Sequence, residues 1–378
     1  MSFDSSRRDF LAAGLSLPVA GLAASRTLGA SSLPAAALPY RTLGKTGARV
    51  TPVGYGCMIT SDPSVIARAL DLGINYFDTA RVYQGGNNER MVGAALKDSR
   101  NKVILSSKSG ANNKAGALAH LETSLKELST DHLDIWYMHS KDNPEAINDD
   151  MVDAWLTAKS QGKIRFIGVS THNVNAIVDR VLRVGKFDVL LNTYNFTIAT
   201  NNDAAYKRLS DAGVGLVAMK VMAPAGPGRA SSQQQLKRAG GPLSALKWVL
   251  KNPLFSTTIP SMTDMDQLEM NVRAMSEKFG AEDEKLLAVL NEEVRPYYCR
   301  LCHHCSGKCP KGLPVADTIR FLSYADFYGQ FALGREHFQQ LSEEVRNVRC
   351  SDCSTCSIHC PNGVHVPERL IRAQELFA

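Results

Sequence analysis

The chain has 378 residues, 44% of them hydrophobic and 21% charged, which is an ordinary composition for a globular protein with room for one large domain and an appendage. Its formal net charge of +6 is mild, and no basic run stands out, which excludes the electrostatic footprint of a nucleic-acid-binding protein. The positive balance is compatible with ordinary solubility or with a preference for anionic partners.

The first 37 residues have the layout of an export signal. Arg7 and Arg8 precede a weakly apolar run rich in alanine and glycine, and Ala35 and Ala37 form a small-x-small cleavage site. The paired arginines resemble a twin-arginine signal, so we expect residues 1–37 to lie outside the fold and the protein to be exported to the periplasm. The alternative is a disordered tail with two chance arginines. No later segment reaches the length of a membrane span, and we expect no integral membrane protein.

Beyond this signal, short β-branched or apolar runs alternate with segments whose apolar residues recur at helical spacing. The predicted strands span 50–56, 74–80, 103–109, 133–140, 165–172, 189–196, 214–221 and 256–262. The predicted helices span 63–73, 87–96, 115–128, 151–162, 174–185, 204–213, 242–252 and 265–275, and several end on a glycine that suits a left-handed cap.

Eight strand–helix units predict an α/β fold of the (β/α)₈ TIM-barrel type. A doubly wound sheet is the competing architecture, but it would need a glycine-rich turn after the first strand, and none follows. The alternation stops near residue 278. We therefore assign 38–278 to the barrel and 279–378 to a helical extension with a ferredoxin-like domain. The cysteine spacing described next is the reason for the ferredoxin-like assignment.

Eight of the nine cysteines lie in two copies of the spacing C-x₂-C-x₂-C-x₃-C-P, which is typical of bacterial iron–sulfur proteins. In two-cluster ferredoxins the fourth cysteine of each run binds the other cluster. The spacing thus predicts two [4Fe–4S] clusters. One would be held by Cys299, Cys302, Cys305 and Cys360, and the other by Cys350, Cys353, Cys356 and Cys309.

Disulfides and structural zinc are the alternatives for these cysteines. Neither requires the Cys-Pro step that both copies share, which favours the iron–sulfur interpretation. We interpret His303 and His304 as solvated loop residues and not as ligands. The aromatic residues between the two runs are expected to pack around the clusters without forming a separate site; they include Phe321, Tyr324, Phe327, Tyr328 and Phe331.

Polar residues follow most of the predicted barrel strands, at the end where such barrels place their active sites. These residues are Asp78 and Tyr83, Lys108, His139, Ser170 with Thr171 and His172, Asn192 with Asn195, and Lys220. Singly, each has a structural explanation such as a helix cap, a surface cation or a core histidine. Jointly, their recurrence at successive strand ends favours a functional site.

Several motifs resemble the aldo-keto reductases: residues 39–58, 77–96, 106–110, 131–140, 164–172 and 258–271. The resemblance covers roughly residues 39 to 275. The segments GVSTH and VAMKVM, together with the cysteine runs, are similar to the iron–sulfur-bearing branch of that family.

The resemblance implies a catalytic tetrad of Asp78, Tyr83, Lys108 and His139. Tyr83 would be the general acid when a carbonyl is reduced, and the general base in the reverse oxidation. We expect the Lys108 ammonium to lower the phenol pKa, which is near 10 in water. Asp78 would hold the ammonium, and His139 would hydrogen-bond the carbonyl oxygen.

The resemblance also implies a nicotinamide cofactor, NAD(P)(H). Its implied contacts are Gly56, Cys57 and Met58, then Ser170 and Asn192 at the carboxamide, Lys220 at a phosphate, and Ser261, Gln267 and Asn271 towards the adenine. Ser261 and Gln267 replace the basic residues that commonly hold the 2′-phosphate, so a preference for NADP is in doubt. Met219 replaces the aromatic residue that usually stacks on the nicotinamide ring. Two possibilities therefore stay open: weak cofactor binding, or a tightly held nicotinamide that is not exchanged. We expect Cys57 to be a small buried apolar residue of the core.

The combined interpretation is an exported iron–sulfur oxidoreductase that interconverts a carbonyl and an alcohol, with clusters that pass electrons to or from a redox partner protein. The loops after the strands are short, which predicts an open active-site cavity that would suit a sugar or another bulky alcohol. Two alternatives stay open. One is a plain NAD(P)H-dependent carbonyl reductase with structural clusters, and the other is a non-catalytic electron-carrier or binding subunit.

Overall fold

A computed structural model describes residues 38–198, 202–222, 239–302 and 304–378. The predicted export signal with Arg7 and Arg8 lies outside these described residues, as does His303. Residues Leu38–Ala378 form one compact unit, so the domain boundary near residue 278 stays a prediction.

A short antiparallel hairpin, absent from the sequence-based prediction, precedes the barrel. Its strands β1 (Arg41–Thr42) and β2 (Arg49–Val50) enclose Leu43, which is fully buried among the inward-facing residues of the barrel. The hairpin bonds to the N-terminal ends of barrel strands; for example, the Lys45 backbone N–H donates to the Gly213 carbonyl at 2.7 Å. It therefore closes the end of the barrel opposite the predicted active site.

The predicted TIM-barrel architecture is confirmed: eight parallel strands form a near-closed barrel in sequence order. They are β3 (Tyr55–Gly56), β4 (Tyr76–Asp78), β5 (Ile104–Ser109), β6 (Leu133–Met138), β7 (Ile164–Thr171), β8 (Val189–Thr193), β9 (Gly215–Met219) and β10 (Phe255–Thr258). Parallel bridges from Val53 to Thr258 and from Gly56 to Ser261 connect the last strand to the first.

Helices alternate with these strands at the predicted places. They are α1 (Pro63–Asp71), α2 (Asn87–Leu96), α3 (Lys114–Glu127), α4 (Asp149–Ser160), α5 (Val174–Val184), α6 (Asp203–Asp211), α7 (Gly241–Leu250) and α8 (Met265–Ala274). Side-chain N-caps start several of them; the Asn113 side chain, for example, accepts from the Gly116 N–H. Gly185 follows α5 with φ +63°, the left-handed cap that the sequence predicts.

The C-terminal region is mainly helical. Its helices are α9 (Ala281–Val294), α10 (Val315–Tyr328), α11 (Phe331–Gln339), α12 (Glu343–Arg346) and α13 (Val366–Phe377). Helix α9 packs on α7 of the barrel through Leu287 and Leu290. Buried Asp326 of α10 pairs with Arg369 and Arg372 of α13 and fastens these two helices together. In the described part of the chain, no helix is long and apolar enough to cross a bilayer.

The two cysteine runs meet as two loops joined by a small antiparallel bridge. The Ser306 N–H donates to the His359 carbonyl at 3.0 Å, and the His359 N–H donates back at 3.1 Å. At Gly307, φ is +82°, and an added Cβ would lie 1.9 Å from the Ser357 carbonyl oxygen. Only glycine therefore permits the close approach of the two loops.

Candidate active site

A cavity of about 930 Å³ opens at the carboxyl ends of the barrel strands. Its walls come from both parts of the chain, because α10 and α11 cover one side of the barrel mouth. The predicted site residues on its walls are Gly56, Met58, Asp78, Tyr83, His139, Ser170, Lys220, Ser261 and Gln267.

Lys108 and Asp78 form a buried ion pair at the cavity wall, with both side chains at most 2% exposed. The Lys108 ammonium also donates to the Thr79 carbonyl at 2.7 Å, and the Ser106 hydroxyl donates to Asp78 at 2.7 Å. Burial lowers the pKa of Lys108, and the Asp78 carboxylate opposes that shift. The ammonium is thus fixed in position by two acceptors.

Tyr83 lies beside this pair, and His139 lies beside Tyr83. The Lys108 nitrogen lies 4.9 Å from the centre of the Tyr83 ring, and the Tyr83 and His139 rings meet edge to face with centroids 5.9 Å apart. The four residues that the resemblance implies are therefore neighbours in space. Each reaches the site from a different part of the barrel mouth: the ends of β4, β5 and β6 and the loop before α2.

The expected acidification of Tyr83 is wrong for this structure. Burial, followed by the Asp78 and Tyr324 charges, raises the pKa of Tyr83 well above its usual value. The physical reason is that burial removes water from the phenolate and the Asp78 carboxylate repels its charge, and these two effects outweigh the attraction expected from Lys108. Burial, with Lys108 next, lowers the pKa of His139 well below its usual range, so this imidazole is neutral.

The loop that carries Tyr83 contains residues with positive φ angles, and contacts to neighbouring side chains stabilise it. Gln84 adopts φ +52° and Gly86 φ +91°, and a Cβ on Gly86 would lie 1.8 Å from the Arg81 guanidinium. The Gln84 side chain donates to the Thr60 carbonyl at 2.8 Å, which ties this loop to the one after β3. Arg81 itself pairs with buried Glu89 of α2.

Three of the implied cofactor contacts are not on the cavity wall: Cys57, Asn192 and Asn271. Cys57 is fully buried in the core, which fits its expected apolar role but not contact with a cofactor. Asn192 is also fully buried, and its amide donates to the Tyr206 hydroxyl at 2.6 Å, away from the cavity. Side chains alternate along a strand, and the registers of β3 and β8 turn Cys57 and Asn192 away from the mouth.

Asn271 and Gln267 differ in how they could receive a nucleotide. The Asn271 side chain is fully buried, and neither its amide nitrogen nor its oxygen has a partner within the described chain. A bound polar group would satisfy these atoms, and the same holds for the unpartnered Asn192 oxygen, although neither residue lines the cavity. Gln267 is already bonded to Thr263 and Asp264, and Ser261 brings no charge to that end of the cavity.

A second cluster of polar side chains lies at the same mouth, where the sequence predicted only packing. Tyr324 of α10 lines the cavity, with its hydroxyl 3.3 Å from the Lys220 ammonium and 3.4 Å from the Arg320 guanidinium. The expectation that these aromatic residues only pack around the clusters is therefore wrong for four of the five, which line the cavity: Phe321, Tyr324, Phe327 and Tyr328. The available signal was the i, i+4 spacing of Arg320 and Tyr324 on one helix face.

None of the nine cysteines, the eight predicted ligands and Cys57, all within the described residues, forms a disulfide. Burial raises the pKa of the Cys299 thiol to about 12, with further contributions from neighbouring Cys305, Cys302 and Cys360. The pKa of Cys350 is likewise raised by burial and then by Cys309, Cys353 and Cys356. The neighbours of these two cysteines thus match the two crossed sets of four that the sequence predicts.

The surroundings of these thiols fit iron–sulfur clusters. Six apolar residues of a small core pack against most of them: Leu313, Ile319, Ile358, Val364, Val366 and Leu370. The Leu301 N–H donates to the Cys299 sulfur at 3.4 Å, and the Asn362 amide donates to the Cys302 sulfur at 3.3 Å. None of the described His, Cys, Asp and Glu side chains forms a three-ligand site for a single metal ion.

The cysteine loops approach the cavity from behind the second polar cluster. A void of about 10 Å³ is lined by Lys220 and Tyr324 on the cavity side and by Tyr298 and Cys299 on the other. Tyr298 also receives a hydrogen bond of 3.4 Å from the Asn195 amide of the barrel. The set of cysteines that contains Cys299 is therefore the one next to the cavity.

Two family profiles match this chain. Residues 61–242 match the Aldo/keto reductase family, and residues 298–365 match the 4Fe-4S dicluster domain. Among curated relatives, an uncharacterized oxidoreductase of Bacillus subtilis, YqkF, is 25% identical over 65% of this chain and 93% of its own length. L-galactose dehydrogenase of Arabidopsis thaliana is 28% identical over 67% of this chain and 93% of its own.

The solved structures show the same architecture for the barrel. The holo form of an aldo-keto reductase from Bacillus halodurans has a TM-score of 0.59 and 25% sequence identity to this chain. The comparison covers 67% of this chain and 96% of that one.

Proposed function

Because residues 61–242 form an aldo/keto reductase domain and residues 298–365 a 4Fe-4S dicluster domain, we propose that this oxidoreductase interconverts a carbonyl and an alcohol and exchanges electrons through two iron–sulfur clusters. The observation that carries the proposal is the grouping of Asp78, Lys108, Tyr83 and His139 at one cavity. A bound nicotinamide would supply or accept the hydride. The chain's own residues must then manage one proton.

Tyr83 is the proton donor when a carbonyl is reduced. Its raised pKa keeps the phenol protonated at neutral pH, as an acid must be before it donates. The phenolate left after donation lies beside the Lys108 ammonium, so charge develops where a cation is already placed. In the oxidation direction the phenolate takes the proton from the alcohol.

His139 supports this transfer as a neutral imidazole. Because its pKa is far below the usual value, it does not add a positive charge beside Lys108. A neutral imidazole can donate one hydrogen bond to the substrate oxygen and so fix that oxygen next to the Tyr83 ring. Asp78 does not touch the substrate in this scheme, because both of its oxygens are occupied by Lys108 and Ser106.

The cysteines would hold two [4Fe–4S] clusters in the crossed arrangement, and these clusters would supply one-electron transfer. The set of Cys299, Cys302, Cys305 and Cys360, which would hold one cluster, is the one next to the cavity, and this supports a connection between the site and a redox partner protein. The signal-like layout of residues 1–37 supports export by the twin-arginine route, which carries folded proteins. Outside the cytoplasm such a connection would replace exchange of soluble NAD(P)H.

A test of this wiring uses protein purified without oxygen. We expect optical and paramagnetic spectra of two [4Fe–4S] clusters and, in the same sample, co-purified nicotinamide detected by mass spectrometry. Reducing the clusters with a one-electron protein donor such as a reduced ferredoxin should then reduce the bound nicotinamide, and Cys302→Ser, which removes a ligand of the nearer cluster, should slow that reduction. Protein that turns over only with added NAD(P)H, regardless of cluster loss, would contradict the wiring and leave a plain carbonyl reductase with structural clusters.

A further inference from the structure

The polar cluster at the cavity mouth brings a cation from each part of the chain to one phenol. Lys220 follows β9 of the barrel, and Arg320 lies on α10 of the C-terminal region. Both donate to the Tyr324 hydroxyl, and the Lys220 ammonium lies 4.6 Å from the centre of the Tyr324 ring. Asp317 pairs with Arg320 at 2.9 Å from the exposed side of α10, while Lys220 has no carboxylate within ion-pairing distance among the described residues.

The backbone of Lys220 is held in an unusual conformation. Its φ is +56°, in the left-handed region that residues other than glycine seldom adopt. The buried Asn195 amide donates to the Lys220 carbonyl at 3.0 Å and holds this conformation. Strained residues that the surroundings enforce occur preferentially at ligand sites. Lys220 is thus placed by the fold and is not a freely moving surface lysine.

The electrostatics at this point favour a negative charge. Burial alone would raise the pKa of Tyr324, but Lys220 and Arg320 outweigh burial and lower it to about 8. Burial lowers the pKa of His337 to about 4, and Arg320 and Lys220 contribute next. The titratable and charged groups that face Tyr324 are Lys220, Arg320, His172, His337, Glu336, Asp317, Tyr83, Tyr298 and Tyr328.

We propose that Lys220, Arg320 and Tyr324 form an oxyanion subsite at the mouth of the cavity, which binds a carboxylate or phosphate group. The subsite rests on the proposed function, since it belongs to the same cavity and would orient what binds there. The anion has two potential sources: the phosphates of a dinucleotide, or an acidic group on the substrate. An ammonium and a guanidinium that converge on one point are the donors that such oxygens prefer.

Occupancy of the subsite and ionisation of Tyr324 must oppose each other. A bound anion disfavours the phenolate, so it raises the pKa of Tyr324 above about 8. By reciprocity, anion affinity must fall as the pH rises through that pKa, because the phenolate then occupies the cations itself. In Tyr324→Phe this dependence on pH must disappear.

The test uses cluster-loaded protein under anaerobic conditions and three probes: malonate, inorganic pyrophosphate and NADP⁺. The ionisation of Tyr324 is followed by tyrosinate difference absorption, assigned with Tyr324→Phe, and dissociation constants are measured by calorimetry. We expect at least one probe to raise the Tyr324 pKa. Arg320→Gln should raise the Kd of that probe about tenfold to a hundredfold. Arg335→Gln removes the same charge from an exposed side chain of α11 outside the cavity and should leave the Kd within about twofold.

The probes distinguish the two sources of the anion. If dinucleotide phosphates fill the subsite, Arg320→Gln weakens NADP⁺ and pyrophosphate alike, and malonate competes with NADP⁺. If a substrate anion fills it, malonate binds to protein already saturated with NADP⁺, and the NADP⁺ Kd is unchanged in Arg320→Gln. The subsite is overturned if no probe shifts the Tyr324 titration.

Neither measurement needs turnover, so the two proposals can fail separately. Protein that binds these anions but reduces no carbonyl contradicts the proposed reaction alone. Active protein in which none of the three probes changes the Tyr324 pKa contradicts the subsite alone.

Discussion

At the scale of single residues, the protonation state of Tyr83 and the position of the Lys108 charge determine which proton transfers the cavity can support. The ammonium is committed to Asp78 and the Thr79 carbonyl, and its attraction for the phenolate is smaller than the penalty of burial, so the phenol is protonated at rest. The ammonium can still stabilise the phenolate once the proton has left, because it lies 4.9 Å from the ring. The site therefore favours a protonated resting phenol and a stabilised product phenolate.

Replacing Tyr83 with phenylalanine should remove the proton donor and little else. We expect kcat for carbonyl reduction to fall about a hundredfold to ten-thousandfold, the usual contribution of a general acid, with the melting temperature nearly unchanged. Steady-state kinetics and thermal melts measure the two effects. Tyr40→Phe, at a tyrosine that is 42% exposed, is the matched control. Full activity in Tyr83→Phe would assign the proton to another group.

The pKa shifts of Tyr83 and His139 predict a wide pH plateau for reduction. A raised phenol pKa means that the acid is protonated at every pH below it, so the basic limb should lie above the ordinary value near 10. A lowered imidazole pKa means that His139 stays neutral down to a pH below the ordinary value near 6.5.

The dependence of kcat/KM on pH tests this plateau, because it reports the ionisation of the free enzyme. The measurement needs a neutral carbonyl substrate and the Tyr324→Phe background, so that the second phenol does not contribute. A basic limb near neutral pH in that background would show that Lys108 acidifies Tyr83 after all.

The Asp78–Lys108 pair should show the asymmetry of buried ion pairs. Lys108→Met leaves the Asp78 carboxylate buried and unpaired, so we expect a loss of about 3–5 kcal/mol of unfolding free energy. The double variant Asp78→Asn with Lys108→Met removes both charges and should recover most of that loss. Chemical denaturation of the barrel measures both variants. Equal stability of the single and double variants would mean that the carboxylate is not deprived of water.

At the scale of elements, the sequence was most informative where burial is continuous. Strands such as β6 and β8 are buried along their whole length, and their mainly apolar sequences mark them clearly even though β6 contains Asp134 and β8 ends in Asn192 and Thr193. The β1–β2 hairpin was missed because two-residue strands have no detectable period. Cys57 and Asn192 were misassigned because their register, which sequence spacing does not show, turns each side chain away from the cavity. Tyr324 was missed because its partner Lys220 lies 104 residues away.

The contact between the two cysteine loops depends on Gly307, and Gly312 nearby offers a matched control position. Gly307→Ala combines a positive φ with a Cβ 1.9 Å from the Ser357 carbonyl, so the loops cannot keep their distance. Gly312→Ala has a similar φ of +72° but no atom within 4 Å of the added Cβ. Both variants share the conformational cost of about 1–2 kcal/mol, and only Gly307→Ala adds the clash.

We therefore expect Gly307→Ala to lose most of its iron and the visible absorption of the clusters, while Gly312→Ala keeps both. Iron analysis of protein purified without oxygen decides the matter. Equal iron in the two variants would mean that the loops have room to separate without losing their clusters.

At the scale of the whole molecule, the barrel and the C-terminal helices build one cavity. The barrel supplies the tetrad and Lys220, and α10 supplies Arg320 and Tyr324. The position of α10 depends on contacts on both of its sides. The Asp326 carboxylate binds Arg369 and Arg372 of α13, and Tyr328 lies at the void beside Cys299. Any change to the cluster next to the cavity should therefore reach the cavity walls.

The two clusters should accordingly differ in their effect on ligand binding. Cys299 lies at the void shared with Lys220 and Tyr324, whereas Cys353 belongs to the other set and is exposed. Cys299→Ser should weaken binding of the anion that fills the subsite about tenfold or more, because α10 loses its support beside the cavity. Cys353→Ser should change that Kd less than about twofold, even if its own cluster is lost. Calorimetry on both variants, with cluster content measured in the same samples, makes the comparison. Equal weakening would mean that the C-terminal region responds as a single body and that proximity to the cavity does not matter.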